Sequence, residues 1–228
     1  MASISPNSFD HVALWVDERD AIADFSYAHL GMHEIERTDK FTLIGVDALE
    51  GKLTLFDADG PREPGVLARI VLRVGDLDGA LAKLPGELEV ERDGDEARFP
   101  GPGGVDFALV QADGIEYDLD HVVLRVPDPD TTAKGLSGLG FEQRNGGLSV
   151  AGRHVRLERG DGAATERPLL NHLALLVDSA EDVKREAEGQ GLEIAKVVDA
   201  ANTLAVFVDG PDRIQVEYVE HKPGFSLV

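Results

Sequence analysis

The chain has 228 residues, ample for a buried core in one domain or two small ones. Its 22 Lys and Arg against 43 Asp and Glu leave a net charge of −21, which argues against a nucleic-acid or anionic-membrane partner. Cysteine is absent, so disulfides, thiolate metal sites and cysteine nucleophiles are excluded. The N-terminal residues 1–8 lack the charged and apolar regions of a secretory signal, and no apolar run approaches membrane-spanning length. A cytoplasmic protein acting on a small molecule is the expectation, with homo-oligomerisation left open.

In chain order, an eight-residue strand at 9–16 (Phe9-Asp10-His11-Val12-Ala13-Leu14-Trp15-Val16) leads into an acidic turn at Asp17-Glu18. Ala21, Ile22, Phe25, Ala28 and Leu30 then follow at helical spacing, with Gly31 placed to end the helix. Short strands are predicted at 32–37, 41–45 and 52–57. The order strand, helix, three strands then recurs. Residues 67–74 (Leu67-Ala68-Arg69-Ile70-Val71-Leu72-Arg73-Val74) precede a helix at 76–84 and strands at 88–92, 96–99 and 105–111. Residues 119–126 (Leu119-Asp120-His121-Val122-Val123-Leu124-Arg125-Val126) precede a helix at 128–139 and strands at 141–144, 148–150 and 153–159. Residues 170–177 (Leu170-Asn171-His172-Leu173-Ala174-Leu175-Leu176-Val177) precede a helix capped by Ser179 and strands at 192–198, 203–208 and 214–219. The clear linker is 160–168, with a second joint at 112–118.

The four opening strands are copies of one motif, each beginning with an aliphatic or aromatic residue, carrying His or Arg third and closing on Val. Alternation puts that third residue on the face opposite Val122, Leu124 and Val126. Four tandem βαβββ modules, with Leu30-Gly31-Met32 and Leu139-Gly140-Phe141 at helix ends and Asp209-Gly210-Pro211-Asp212 before a last strand ending Val216-Glu217-Tyr218, resemble the vicinal oxygen chelate superfamily. That group includes glyoxalase I, bleomycin resistance proteins and type I extradiol dioxygenases. The resemblance implies an α+β fold in which modules pair into two half-open β-barrel domains. The expected division is 1–114, without metal, and 115–228, with one.

Ligands in that superfamily come from the first and last strands of a pair. Parity in the last strand, where Ile214, Val216 and Tyr218 form the apolar face, turns Glu217 toward the cavity. The expected metal ligands are therefore His121, His172 and Glu217. Two imidazoles and a carboxylate suit one divalent ion, Fe(II) foremost, with Mn, Zn or Ni as other occupants. His154 is the expected acid/base, as in dioxygenases. Glu158 stands as an alternative fourth ligand or base, as in glyoxalase I. In the first half His11 matches a ligand position, but Arg69, Phe56 and Ala108 stand where partners are needed, so His11 is expected to be a cavity or core residue. His221 is expected in solvent. Phe207 replaces the Tyr of the dioxygenase pattern. A metal-dependent dioxygenase is the leading expectation; an isomerase or lyase using Glu158, or a metal-free binding protein, are the alternatives.

Overall fold

The structure, a computed structural model, describes residues 4–46, 51–113, 117–144, 147–162, 165–223 and 225. Four modules follow one another as anticipated. The first comprises β1 (Ser8–Val16), α1 (Arg19–His29), β2 (His33–Arg37), β3 (Phe41–Gly45) and β4 (Lys52–Asp57). The second comprises β5 (Leu67–Val74), α2 (Leu77–Leu81), β6 (Glu91–Asp93), β7 (Glu96–Pro100) and β8 (Asp106–Gln111). The third comprises β9 (Tyr117–Val126), α3 (Pro129–Ser137), β10 (Glu142–Arg144), β11 (Gly147–Val150) and β12 (Arg153–Arg159). The fourth comprises β13 (Leu170–Leu176), α4 (Ala180–Gly189), β14 (Ile194–Asp199), β15 (Thr203–Asp209) and β16 (Gln215–His221).

The helices are shorter than their apolar spacing suggests. α2 starts where the Asp76 carboxylate accepts from the Gly79 N–H, and it ends well ahead of Pro85. α1 ends before Gly31, whose φ of +66° suits glycine; a Cβ there would also lie 2.5 Å from the Tyr117 ring. Gly31 thus serves the helix end and the packing of the first module on the third.

Two open, eight-stranded sheets result, neither closed into a barrel. One runs β14-β15-β16-β13-β1-β4-β3-β2 and the other β10-β11-β12-β9-β5-β8-β7-β6. The first module therefore shares a sheet with the fourth, and the second with the third. This corrects the expected pairing of successive halves at residue 114. The reason lies in the repeat itself: all four opening strands carry the same apolar face, so the pattern cannot choose among partners. Connections decide. β8 and β9 are joined briefly and stay in one sheet, whereas the linker after β12 returns the chain to the other sheet, where Glu63 and Pro168 form a bridge. The greasy faces of both sheets and all four helices contribute to one continuous core.

The central ladders are interrupted at matching places. β1 runs antiparallel to β13, with register shifts between Phe9 and His11 and again opposite Ala13 and Leu14, where Asn171 is the extra residue. β5 and β9 shift likewise at Ala68 and Asp120. Each motif thus holds a one-residue bulge at its second position. The core confirms the slip: Phe9 and Val12 are buried in the same cluster, as are Leu170 and Leu173, although strict alternation would put residues three apart on opposite faces.

Cross-pairing of modules has a direct consequence for fragments. Polypeptides 1–114 and 115–228, made separately, are expected to lack cooperative thermal unfolding, and to regain it when refolded together. Circular dichroism and size-exclusion chromatography read the outcome. A fragment 1–114 that melts cooperatively as a monomer contradicts this pairing.

Candidate metal centre

The bulges set up the site. A bulge brings the second and third residues of the motif toward one side, so each imidazole meets the side chain just before it. The Asp10 Oδ2 lies 2.7 Å from His11 Nδ1, and the Asn171 Oδ1 lies 3.1 Å from His172 Nδ1. Both oxygens accept from an Nδ1–H, which leaves the Nε2 lone pairs free to point inward. Lys52 Nζ, on a buried side chain of the neighbouring strand, donates to Asp10 Oδ1 at 2.8 Å, and His221 Nε2 stands 3.5 Å from the same oxygen. Burial opposes the Asp10 charge, but hydrogen bonds from His11 and His221 and the charges of His11 and Lys52 hold its carboxyl well below the usual range.

The two Nε2 atoms are 3.2 Å apart. Glu217 Oε2 lies 2.7 Å from His172 Nε2 and 3.3 Å from His11 Nε2. Two lone-pair nitrogens and a carboxylate oxygen this close repel one another unless a proton or a cation sits among them. Without an ion the proton falls to His11. Burial alone would depress its imidazole, yet hydrogen bonds to Asp10 and Glu217 and both negative charges raise its pKa to about 9. For Glu217, burial acts upward, but its contacts with the His11 and His172 rings outweigh it and bring the carboxyl down to about 2. His172 is lowered, burial being the first cause. Two imidazoles and one carboxylate, with donor atoms within 4.8 Å of one another, could hold a metal ion, and this is the one such group among the described residues.

The fourth position of the set is filled by a neutral hydroxyl. Glu217 lies opposite Ala174 in the β13–β16 pair; the matching residue opposite Ala13 in β1–β4 is Thr54. Phe56, expected there, lies two residues further on and joins Trp15 and Phe41 in an aromatic wall, with ring centroids 5.5 and 5.6 Å away. Phe207, the expected replacement for a Tyr, meets the His172 ring edge-on at 5.1 Å. These rings, with Phe225, wall a cavity of about 530 Å³ that opens from the His11, His172 and Glu217 cluster. No helix among the described residues is long and apolar enough to cross a membrane.

Of the residues expected to act together, the structure unites His172 and Glu217. His121 is corrected out of the set: it belongs to the second sheet because its module pairs with the second. There it is buried, Nδ1 lies 2.5 Å from Asp120 Oδ1, and Nε2 has no hydrogen-bond partner among the described residues. Glu158 also lies in the second sheet, 2.9 Å from Arg69 and 3.9 Å from Arg125. Its register was misjudged by two residues, because Arg156, opposite Val123, holds the position matching Glu217. His154 is an exposed residue opposite His121 and far in topology from the His172 sheet. Two residues were undervalued. His11 completes the ligand set, and His221 lies on the cavity wall with its ring stacked on Phe225 at 3.7 Å. The signal for His11 was present, since its motif copy carries the same acidic or amide residue before the His as the copies at 121 and 172.

Comparison with known proteins agrees with this fold. Residues 8–93 match the model of the Glyoxalase/Bleomycin resistance protein/Dioxygenase superfamily. No curated protein sequence matches the chain. Among solved structures, one from Bacillus subtilis strain 168, provisionally named a dioxygenase, superposes with a TM-score of 0.75 at 17% identity, covering 98% of this chain and 87% of the other. A V278E mutant of glyoxalase I from Zea mays gives 0.74 at 18% identity, covering 93% and 92%. The cppA protein from Streptococcus pneumoniae TIGR4 gives 0.65 at 15%, covering 95% and 100%. Residues 8–93 are therefore similar to the Glyoxalase/Bleomycin resistance protein/Dioxygenase superfamily, and the chain shares the fold of the Zea mays glyoxalase I structure over 93% of its length.

Proposed function

We propose that the protein is a mononuclear metal-dependent enzyme of the extradiol-dioxygenase type, acting on a small catecholic substrate. The observation that carries this reading is the convergence of His11 Nε2, His172 Nε2 and Glu217 Oε2 at the floor of an aromatic-walled cavity, with Thr54 where a second carboxylate, as fourth ligand, would otherwise stand. Two imidazoles and a single carboxylate leave open positions, the pattern of non-haem Fe(II) oxygenases. When bound, such an ion supplies positive charge to two neighbouring substrate oxygens and a position for dioxygen. Mn, Zn and Ni fit the same ligands; iron follows from the oxygen chemistry.

The chain's own residues carry the remaining tasks. Asp10 and Asn171 fix the tautomer and tilt of the two imidazoles. Trp15, Phe41, Phe56 and Phe207 accept a flat ring and exclude water from it. His221, on the cavity wall with Nε2 3.5 Å from Asp10, is the group that takes the substrate's hydroxyl proton, the role expected of His154. The isomerase alternative loses support because Glu158 is engaged by Arg69 in the other sheet.

Three outcomes are expected. Elemental analysis of purified protein gives one ion per chain; His11→Ala, His172→Ala and Glu217→Gln abolish it, while His121→Ala retains it. Asp10→Asn weakens metal affinity about 10–100-fold. Metal retained by His11→Ala and lost by His121→Ala contradicts the site. Second, anaerobically Fe(II)-loaded protein consumes oxygen with catechols; turnover of an α-ketoaldehyde hemithioacetal without any catechol-dependent oxygen uptake contradicts the reaction. Third, His11 is protonated in the metal-free protein up to pH about 9, so metal must displace that proton. Binding at pH 7.5 should release roughly one proton, and affinity should rise about tenfold per pH unit toward pH 9 before levelling off. The same raised pKa stabilises the metal-free fold below the unfolded value near 6.5, and that contribution fades as pH rises through about 9. A pH-independent metal affinity between 6.5 and 9 contradicts the assignment of the proton to His11.

A further inference from the structure

A lateral row of side chains crosses the first sheet. Lys196 on β14 lies opposite Phe207 on β15, and Phe207 lies opposite Glu217 on β16. Lys196 is thus two strand spacings from the ligand carboxylate, about 10 Å at the backbone. Its Nζ lies 4.0 Å from the centroid of the Phe207 ring, whose edge meets His172. The ammonium is held over the cavity by a cation–π contact, and its side chain lines that cavity. Lys40, from the turn between β2 and β3, lines it from the opposite wall.

These two lysines stand outside any ion pair among the described residues, as Lys83 and Lys134 do, and unlike those two they line the cavity. The protein carries almost twice as many acids as bases, and most of its arginines stand in ion pairs, Arg37 with Asp20 and Arg69 with Glu96 among them. Neither Lys196 nor Lys40 has a carboxylate within ion-pair distance among the described residues. Inside the cavity Lys52 is neutralised by Asp10, and Glu217 is committed to the two imidazoles. Glu36 on β2 also lines the cavity, at the sheet edge away from β14, so Lys196 faces the cavity with no carboxylate at ion-pair distance among the described residues.

We infer that Lys196 binds an anionic substituent, so the substrate is an aromatic vicinal diol bearing a carboxylate, with Lys40 adding to the local field. The inference rests on the proposed function for the diol, and on the row Lys196, Phe207, Glu217 for the acid. Ring and ammonium share Phe207: the substrate ring packs toward its inner side, while the carboxylate meets Nζ at its outer edge. A charge-assisted hydrogen bond of this kind, partly exposed, is worth roughly a tenfold preference for the acid over the neutral compound. The −21 net charge would repel an anion at long range, but screening limits that to roughly a Debye length of 8 Å at physiological salt, within which Lys196 meets the carboxylate directly.

Calorimetric titration of Fe(II)-loaded protein under oxygen-free conditions tests this with four probes: 3,4-dihydroxybenzoate, catechol, benzoate and phenol. In the wild type each acid should bind roughly tenfold more tightly than its neutral counterpart. Lys196→Met, which keeps the aliphatic stem over Phe207, should erase that advantage and leave catechol affinity within about twofold. An acid advantage absent from the wild type, or surviving in Lys196→Met, overturns the inference. The diol comparison is separate: 3,4-dihydroxybenzoate binding no better than benzoate defeats the chelation reading, while the benzoate–phenol contrast still decides the role of Lys196.

Discussion

The one-residue bulge at the second position of each opening strand is the constraint on which the site depends. A regular strand would send Asp10 and His11, or Asn171 and His172, to opposite faces. The bulge instead lets each acceptor hold the Nδ1–H of the next residue, at 2.7 and 3.1 Å, and so aims both Nε2 atoms inward. Because β1 and β13 run antiparallel, the two bulges are related by a local two-fold and the nitrogens meet at 3.2 Å. Glu217 arrives from β16, which pairs parallel to β13, and completes a set that needs a cation or a shared proton to be stable.

The second sheet shows what the same scaffold does when it supplies its own cation. Arg69 holds the position of His11, and its guanidinium bonds Glu96 at 3.1 Å and Glu158 at 2.9 Å. Burial works against the Glu96 charge, but the hydrogen bond from Arg98 and the field of Arg69 and Arg98 lower its carboxyl. Beneath them the floor is small and apolar, built from Ala68, Val71, Ala108 and Val123. One sheet thus has a ligand set facing an open cavity, and the other has a closed salt-bridge cluster. The repeat is conserved in backbone and divergent in charge.

Much of this was legible in the residues and part of it was not. Hydropathy alternation and glycine-ended helices located the four modules, and β3, β4 and β12 fall where the strand signals put them. Parity in the last strand correctly turned Glu217 away from Val216 and Tyr218, which are core residues. Pairing was beyond reach, because the opening strands at 9, 67, 119 and 170 bury equivalent faces whichever partner they take. That ambiguity exchanged His11 for His121. The bulges were also hidden: a period-two reading has no place for an extra residue, so the contacts from Asp10 and Asn171 to the rings beside them went unseen. His221 was missed for a simpler reason. It lies four residues beyond Glu217 and on its face, but a histidine near a chain end reads as solvated until the strand is seen to continue to it.

The central claim is that a metal ion lies between the first and fourth modules. The direct measurement is a crystal structure of the Fe(II)- or Mn(II)-loaded protein with anomalous diffraction recorded at the metal edge. The account predicts one anomalous peak at bonding distance from His11 Nε2, His172 Nε2 and a Glu217 carboxylate oxygen, with His221 and Thr54 beside the vacant positions. A peak beside His121 in the second sheet, or fully loaded protein with no peak at the first-sheet cluster, would contradict it.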